Sequence, residues 1–317
     1  MVTPPRELKL PAVIEASGER ARKRAFEFFV AQIRNENTRR AYGRALSSFF
    51  AFMESGGIGC VQDIEPKHVA AYLEALNKHG ASIPTQKQHM AAVRMLLDYL
   101  VTGGVMDFNP ALSVRAPRQS TQKGKTPVLT ADEAGELLRS IPTDNIVGLR
   151  DRALIGLMTF TFARVSAACG LDVGDVFHQQ RRVWVRLHEK GGKFHEMPCH
   201  HTLETYLMEY IEAGELADGV PLFQSIDRVT HQLSGKRLGR VKAWEMVQRR
   251  AGGSDVKTEI CNHTFRGTGI TAYLENGGTL EKARQMAAHA STRTTQLYDR
   301  RQDRVTLDEV VKINIRG

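Results

Sequence analysis

The chain contains 317 residues, enough for about two domains of ordinary size. Hydrophobic residues make up 42% of the chain and charged residues 25%, a balance that supports packed cores and excludes a disordered composition. Lys and Arg outnumber Asp and Glu by 44 to 35, which favours a polyanionic partner such as nucleic acid.

The first part of the sequence is predicted to form a small helical domain. Residues 1–19 lack periodicity and are predicted to be a flexible arm, whereas residues 20–112 are predicted to be helical, with helices over residues 38–53, 67–79 and 85–101. Basic residues occupy the faces opposite the apolar stripes of the first and third helices. These candidate contacts to DNA phosphates are Arg39, Arg40, Arg44, Lys87 and Arg94.

Residues 113–127 are predicted to link two domains. This stretch contains four basic residues, among them Arg115 and Arg118, two prolines and no acidic residue. Two interpretations stay open at this point. The segment is either a solvated loop or a basic linker that lies along a phosphate backbone.

A second domain is predicted from residue 128 to residue 317. Thr130 and Glu133 have the spacing of a capping box before a helix, and an apolar helix is predicted near residues 149–160. Residues 182–188 alternate as a strand does and residues 193–197 return, so one β-hairpin is predicted within a helical domain. A later basic stretch supplies further candidates for DNA contacts, namely Arg237, Arg240 and Lys242.

Other classes of protein are disfavoured. The four cysteines are scattered, which argues against a disulfide framework, and the cluster of His195, Cys199, His200 and His201 is interpreted as a surface loop rather than a metal site. The longest apolar run, residues 153–163, falls far short of the ~20 residues that span a bilayer. We therefore expect a cytoplasmic protein that makes no membrane contact.

Four separate segments place unusual polar residues beside apolar runs. They are TFARVSAACGL with Arg164, EKGGKFHEMP with Lys190, HTFRGTGITAYL with His263 and Arg266, and AAHASTRTTQLYDR with His289 nine residues before Tyr298. Each segment alone has an ordinary structural explanation. Together, and in this order, they resemble the signature of the tyrosine recombinases, the phage integrase family of Xer and integrase type. NTRRAYGRALSSFFAFM and VLTADEAGELL also resemble that family's core-binding domain and the entry to its catalytic domain.

The resemblance implies a mainly α fold with a small antiparallel sheet, in which two domains clamp double-stranded DNA like a C. It also implies that Tyr298 attacks a backbone phosphate and forms a 3′-phosphotyrosyl intermediate, which needs neither ATP nor a metal cofactor. Arg164 and Arg266 would hold the non-bridging oxygens and His289 would donate a further hydrogen bond. His263 would either accept the Tyr298 proton or bind the phosphate, and Lys190 would protonate the leaving oxygen. Lys193 is expected to contact the DNA backbone.

Two positions depart from the family pattern. Ala167 stands where an acidic residue is common, and Ala288 replaces the glycine before the second histidine. The first departure concerns the orientation of neighbouring groups, and the second concerns the placement of His289. Neither removes a reacting atom.

The resemblance further implies a homotetramer on two recombining sites, associated with the nucleoid. The apolar residues of the segment 305–317 are expected either to pack within their own subunit or to dock on a neighbour. Two rival functions are a type IB topoisomerase-like activity and a DNA-binding accessory protein that has lost catalysis. Integration or excision of a mobile element and resolution of DNA are all open as biological settings.

Overall fold

The computed structural model of the protein describes residues 10–118, 124, 126–189 and 193–299. The chain forms two compact units, the N-terminal unit Met1–Ser120 and the C-terminal unit Thr121–Gly317. The division falls within the predicted linker, residues 113–127. Within the described ranges, no helix has the length and apolar character needed to cross a membrane.

The described part of the N-terminal unit is helical, as predicted. Its helices are α1 (Ala12–Ala16), α2 (Glu19–Glu27), α3 (Glu36–Ser55), α4 (Pro66–Lys78) and α5 (Ile83–Thr102). A π-helical turn, Phe28–Gln32, follows α2, and a 3-10 turn, Val61–Asp63, precedes α4. The three helices expected from periodicity correspond to α3, α4 and α5.

The core of the N-terminal unit forms where α3 meets α5. Phe49 and Phe50 of α3 are at most 1% exposed, and Leu97 of α5 is fully buried beside them. The side chain of Asn35 accepts a hydrogen bond of 3.1 Å from the Thr38 amide, so the first turn of α3 is capped. The apolar stripe seen in the sequence is therefore the packed face of the helix.

Residues 12–16 correct one expectation, since they form α1 rather than part of a flexible arm. Val13 and Ile14 are each 1% exposed and belong to the core of the N-terminal unit. A helix of five residues is too short to produce a periodic signal, which is why the sequence pattern missed it. Residues 1–9 lie outside the described residues.

The described part of the C-terminal unit is helical with two small sheets. Its helices are α6 (Ala131–Ser140), α7 (Ile146–Phe160), α8 (Val165–Ala168), α9 (His201–Ala213), α10 (Arg240–Gly252), α11 (Asn262–Glu275), α12 (Leu280–Met286) and α13 (Thr292–Gln296). Its strands are β1 (Val176–Gln179), β2 (Arg182–Glu189), β3 (Lys193–Pro198), β4 (Gln224–Ile226) and β5 (Leu233–Arg237). The predicted capping box of α6 is confirmed, because Thr130 and Glu133 exchange both hydrogen bonds.

The predicted hairpin is confirmed as the antiparallel pair β2 and β3, with Val185 opposite Met197. Val183, Val185 and Leu187 are fully buried, so the alternation in the sequence marks the inner face of β2. Strand β1 extends this sheet in the order β1-β2-β3, and β4 pairs with β5 separately. Strands β1, β4 and β5 span only three to five residues each, too few to be predicted from alternation.

Residues 195–201 also differ from the expectation of a surface loop. His195 lies in β3 and His201 begins α9. Between them, His200 stacks on Phe160 with ring centroids 4.6 Å apart. The histidines thus belong to the join between the sheet and α9.

Candidate active site

Helix α11 reaches the centre of the C-terminal unit because a glycine faces α7. A Cβ atom at Gly269 would lie 2.0 Å from the Thr159 carbonyl oxygen and 2.7 Å from the Phe162 ring. Only a residue without a side chain allows this approach. The contact brings Arg266, one turn earlier on α11, into the protein interior.

Arg266 is fully buried, and main-chain carbonyl groups hold its guanidinium. Nη1 donates to the Phe162 oxygen, and Nη2 donates to the Ala287 oxygen at 2.5 Å. Phe162 has a left-handed φ of 56°, which places its carbonyl within reach of α11. A guanidinium has five N–H donors, so these bonds are compatible with a further bond to a phosphate oxygen.

His263 lies one helical turn before Arg266 and contacts the predicted nucleophile. Its Nε2 atom is 2.8 Å from the hydroxyl oxygen of Tyr298. Burial lowers the pKa of His263, and the charges of Arg266 and Arg164 lower it further. A neutral imidazole with its proton on Nδ1 can accept the phenolic proton at Nε2.

Tyr298 follows the short helix α13 and is only 7% exposed. Its backbone is fixed by the Thr271 hydroxyl, which donates to the Tyr298 carbonyl oxygen at 2.9 Å. Burial raises the pKa of Tyr298, while the positive charges of Arg266 and Arg164 oppose that rise. The same two guanidiniums that suit a phosphate therefore also favour the phenolate.

His289 lies parallel to the Tyr298 ring, with centroids 6.1 Å apart and an interplanar angle of 9°. Its Nδ1 atom is 2.9 Å from the Thr295 hydroxyl. Burial, together with Arg266, Arg164 and His263, lowers the pKa of His289 to about 3. The imidazole is thus neutral near pH 7 and suited to act as a hydrogen-bond donor rather than as a charge.

Ala288 precedes this histidine with a φ of 46°, in the left-handed region. Its amide donates to the Gln285 oxygen at 2.9 Å as α12 ends, and the His289 amide donates to Arg284 at 3.0 Å. A glycine adopts this conformation without steric cost. The alanine found here keeps the turn but strains it.

Arg164 occupies the position just before α8 and is half-buried. Its charge lowers the pKa of His263, His289 and Tyr298 alike, so it lies near all three. Ala167, one turn later, is 4% exposed. The common acidic residue of the family would therefore be buried at this position.

Five of the six predicted catalytic residues come together in one site. They are Arg164, His263, Arg266, His289 and Tyr298. Lys190 lies outside the described residues, between the ends of β2 and β3. Isolated threonines carry no pattern, so the sequence did not point to three of them. Thr271 and Thr295 hydrogen-bond with the Tyr298 carbonyl group and with His289, and Thr126 lowers the pKa of Tyr298.

The residues predicted to contact DNA divide into two groups. Arg40, Arg44, Lys87, Arg115, Arg118, Arg240 and Lys242 are exposed. Two of these form surface ion pairs, Arg40 with Glu36 at 2.5 Å and Lys242 with Glu245 at 2.6 Å. The side chain of Lys193 lies outside the described residues.

The other group donates to main-chain oxygens; Arg39 and Arg94 are half-buried, whereas Arg237 is exposed. Arg39 donates to the Ile33 oxygen at 2.8 Å, and Arg237 donates to Leu171 at 2.8 Å. Arg94 donates to the Ala111 oxygen at 3.1 Å and also to Val114. Arg94 is therefore half-buried rather than fully exposed, and part of its guanidinium bonds the main chain. The spacing of Arg94 relative to the apolar stripe could not reveal its hydrogen-bond acceptors, because these carbonyl groups come after α5 in the chain.

Profiles of known families match both units. The profile described as "Phage integrase family" matches residues 127–304, more than half of the chain. The chain belongs to the phage integrase family. A second profile, "Phage integrase, N-terminal SAM-like domain", matches residues 26–104 and covers most of the N-terminal unit of this integrase.

Curated relatives agree with that assignment. This integrase is 28% identical over 263 residues to the tyrosine recombinase XerD of Listeria innocua, covering 83% of the chain and 87% of the relative. It is 30% identical over 275 residues to the tyrosine recombinase XerD of Mycobacterium leprae, covering 83% and 86%. The protein is a site-specific tyrosine recombinase, an enzyme that breaks and rejoins DNA strands.

Solved structures of the same fold include the XerH recombinase in a post-cleavage complex with a palindromic difH substrate. The TM-score is 0.70 and the sequence identity 17%, with 97% of this chain and 96% of that chain covered. A lambda integrase dimer bound to a COC′ core site gives a TM-score of 0.69 at 16% identity, covering 90% and 79%. The predicted mainly α fold with small antiparallel sheets is confirmed.

Proposed function

We propose that Tyr298 cleaves DNA by attacking a backbone phosphate, which joins the phosphate to the tyrosine and releases a 5′-hydroxyl. The observation that carries this proposal is the 2.8 Å contact between His263 Nε2 and the Tyr298 hydroxyl, beside two arginines. A nucleophile within hydrogen-bond reach of a neutral base is the arrangement that covalent catalysis needs.

The arginines act on the charge of the transition state. As the phenolic oxygen approaches phosphorus, negative charge grows on the non-bridging oxygens. Arg266 is held by two carbonyl groups, so it can stabilise this charge without reorganising, and Arg164 lies nearby to add a second positive charge. His289 adds a neutral hydrogen-bond donor, since its pKa of about 3 keeps it uncharged.

Protons balance across the step. Tyr298 gives its proton to His263 as the new O–P bond forms, and the 5′ oxygen takes a proton as the old P–O bond breaks. Lys190 is proposed to supply that second proton. A 5′-hydroxyl from the partner strand then attacks the phosphotyrosine, which reverses the chemistry and restores a phosphodiester without an energy source.

The recombinase is proposed to work as a homotetramer on two copies of a specific duplex site, in the cytoplasm and at the nucleoid. Exchange between two sites needs four cleavages, and a lambda integrase tetramer bound to a Holliday junction shares this fold with a TM-score of 0.68. Integration or excision of a mobile element, or resolution of joined DNA, uses this same chemistry.

A nicked duplex tests the proposal. The duplex is first selected by the protein from a random-sequence library and then nicked just beyond the cleavage point, so that the released fragment diffuses away and traps the intermediate. Wild type should accumulate a covalent protein–DNA complex. Tyr298→Phe should bind the same duplex with unchanged affinity and form no covalent complex, because only the hydroxyl is lost.

Two results would overturn the proposal. A covalent complex that persists in Tyr298→Phe would assign the nucleophile to another residue. Absence of any covalent complex in wild type on a tightly bound duplex would point to a DNA-binding protein without catalysis. Topoisomerase activity would give a third pattern. The protein would then relax supercoiled plasmids whether or not they carry the selected site, and it would not exchange strands between paired sites.

A further inference from the structure

The start of the C-terminal unit runs beside the nucleophile. The Gly124 amide donates a 3.0 Å hydrogen bond to the carbonyl oxygen of Leu297, the residue before Tyr298. The Thr126 side chain lies close enough to the Tyr298 hydroxyl to lower its pKa. Two residues at the catalytic end of the predicted linker therefore contact the backbone and the side chain of the nucleophile segment.

The next residues secure this segment against α11. The Leu129 amide donates to the Thr268 hydroxyl at 3.0 Å. A Cβ atom at Gly267 would lie 3.2 Å from a methyl carbon of Val128 and 3.3 Å from the Tyr298 ring. Val128 and Tyr298 thus meet over the same glycine of α11, and the approach of residues 124–129 to the nucleophile is part of a packed structure.

Gly124 is sterically restricted at this contact. A Cβ atom there would lie 2.7 Å from the Leu297 carbonyl oxygen and 3.4 Å from the Leu297 Cβ. The first distance is too short for a real contact, and the obstacle is backbone rather than a flexible side chain. A side chain at position 124 must therefore displace the peptide that carries Tyr298.

Thr126 acts on the charge of the Tyr298 side chain, whereas Gly124 acts on the backbone. Burial raises the pKa of Tyr298, and the nearby Thr126 side chain is one of the groups that oppose this rise. A threonine hydroxyl can donate to an anionic oxygen while His263 Nε2 holds the released proton. Hydrogen bonds to charged groups are stronger than those between neutral groups.

We propose that Gly124 and Thr126 are positioning residues for the Tyr298 nucleophile, Gly124 through the Leu297 peptide and Thr126 through the phenolic oxygen. The inference rests on the proposed role of Tyr298 in cleavage. Both residues precede residue 127, where the match to the catalytic family profile begins. The linker would then contribute to the reaction itself, beyond joining the two units.

Single-turnover cleavage of the nicked duplex by the full chain tests Thr126. Thr126→Val keeps the shape and removes the hydroxyl, so cleavage should slow by about 10-fold to 100-fold with unchanged DNA affinity. The rise of the cleavage rate with pH should move to higher pH, because the phenolate loses a donor. Thr126→Ser should restore both rate and pH profile, and the exposed Thr205→Val serves as the matched control.

Gly124→Ala tests the backbone contact. It should slow cleavage at least several-fold without weakening DNA binding, since the added methyl group displaces the Leu297 peptide. Gly252→Ala is the control, because a Cβ atom at Gly252 in α10 meets nothing within 4 Å. Circular dichroism and urea unfolding of each variant separate a local displacement from loss of folding.

Several outcomes would overturn the inference. If Thr126→Val cleaves at the wild-type rate with the wild-type pH profile, the Thr126 hydroxyl has no role in cleavage. Faster cleavage by Thr126→Val or Gly124→Ala would mean that the segment restrains the nucleophile instead of positioning it. Failure of the underlying function is distinguishable, because wild type itself would then form no covalent complex.

Discussion

His263 and Tyr298 lie 35 positions apart in the chain, yet the imidazole Nε2 and the phenolic oxygen are 2.8 Å apart. The contact links α11 to the segment after α13 and joins a base with a lowered pKa to a buried hydroxyl. Catalysis through this contact depends on the protonation states of the groups around it and on the hydrogen bonds that hold those groups in place.

The first prediction concerns the acid stability of the protein. The pKa of His289 is about 3 when folded, against an ordinary value of 6.5, so the unfolded chain binds more protons between these values. Stability should therefore be fully present above pH 6.5 and fall as the pH drops toward 3. At pH 5, protonation of this one histidine in the unfolded chain should lower the free energy of unfolding by about 2 kcal/mol.

Urea unfolding at pH 7.5 and pH 5 measures the effect. His289→Gln cannot titrate, so its free energy of unfolding should fall less between the two pH values than that of wild type. His178→Gln, which removes an exposed histidine from β1, should behave as wild type does. Equal pH dependence of wild type and His289→Gln would contradict the assigned pKa.

The second prediction separates the two arginines. Arg266→Lys keeps the charge but loses the planar fork that bonds Phe162 and Ala287, so the free energy of unfolding should fall by about 2–4 kcal/mol. Arg164→Lys, at a half-buried position, should cost at most about 1 kcal/mol. Both variants should lose most cleavage activity. Equal stability of the two variants would show that the buried carbonyl contacts do not stabilise the fold.

The third prediction concerns the strained turn before His289. Ala288→Gly should raise the free energy of unfolding by up to about 1 kcal/mol, because glycine adopts a φ of 46° without strain. Ala287→Gly is the matched control; its φ of −79° is ordinary, so that variant should lose about 1 kcal/mol. Thermal unfolding of both proteins measures the difference. A loss of stability in Ala288→Gly would mean that the alanine methyl group packs favourably.

The fourth prediction contrasts two basic residues of α5. Arg94→Ala should lower stability by about 1–3 kcal/mol, because Arg94 bonds the Ala111 and Val114 carbonyls. Lys87 is exposed, and Lys87→Ala should leave stability unchanged while reducing the salt dependence of DNA binding by about one unit of slope. Urea unfolding and binding at several salt concentrations give both quantities. If Lys87→Ala lowered stability and Arg94→Ala changed only the salt dependence of DNA binding, the roles given to the two side chains would be wrong.

The fifth prediction tests the general acid. Loss of such an acid costs about 10²–10⁴ in rate on a normal phosphodiester, whereas a thiolate leaves without a proton. Lys190→Ala should therefore be nearly inactive on ordinary DNA and largely restored on DNA with sulfur at the bridging 5′ position. Arg164→Ala should not be restored, because its charge acts on the non-bridging oxygens. Rescue of Lys193→Ala but not of Lys190→Ala would identify Lys193 as the acid.

The sequence alone was enough to predict the helices and strands whose hydrophobic residues recur at regular spacing. It also predicted the reaction, because the residues for it occur in an ordered set of motifs. The stripe of Phe49 and Phe50 predicted α3, and the alternation around Val185 predicted the hairpin, since burial on one face repeats along the chain. The order of the motifs predicted that His263 and Tyr298 belong to one site, although they lie 35 positions apart in the chain.

Tertiary structure decided what depends on contacts between distant segments. Arg266 is buried because Gly269 lets α11 approach α7 and because the carbonyls of Phe162 and Ala287 accept its bonds. Arg94 lies on a polar face by spacing, yet it is tied to a later loop. Periodicity reports which face of an element is buried, whereas the partner of a hydrogen bond is fixed only when the chain has folded.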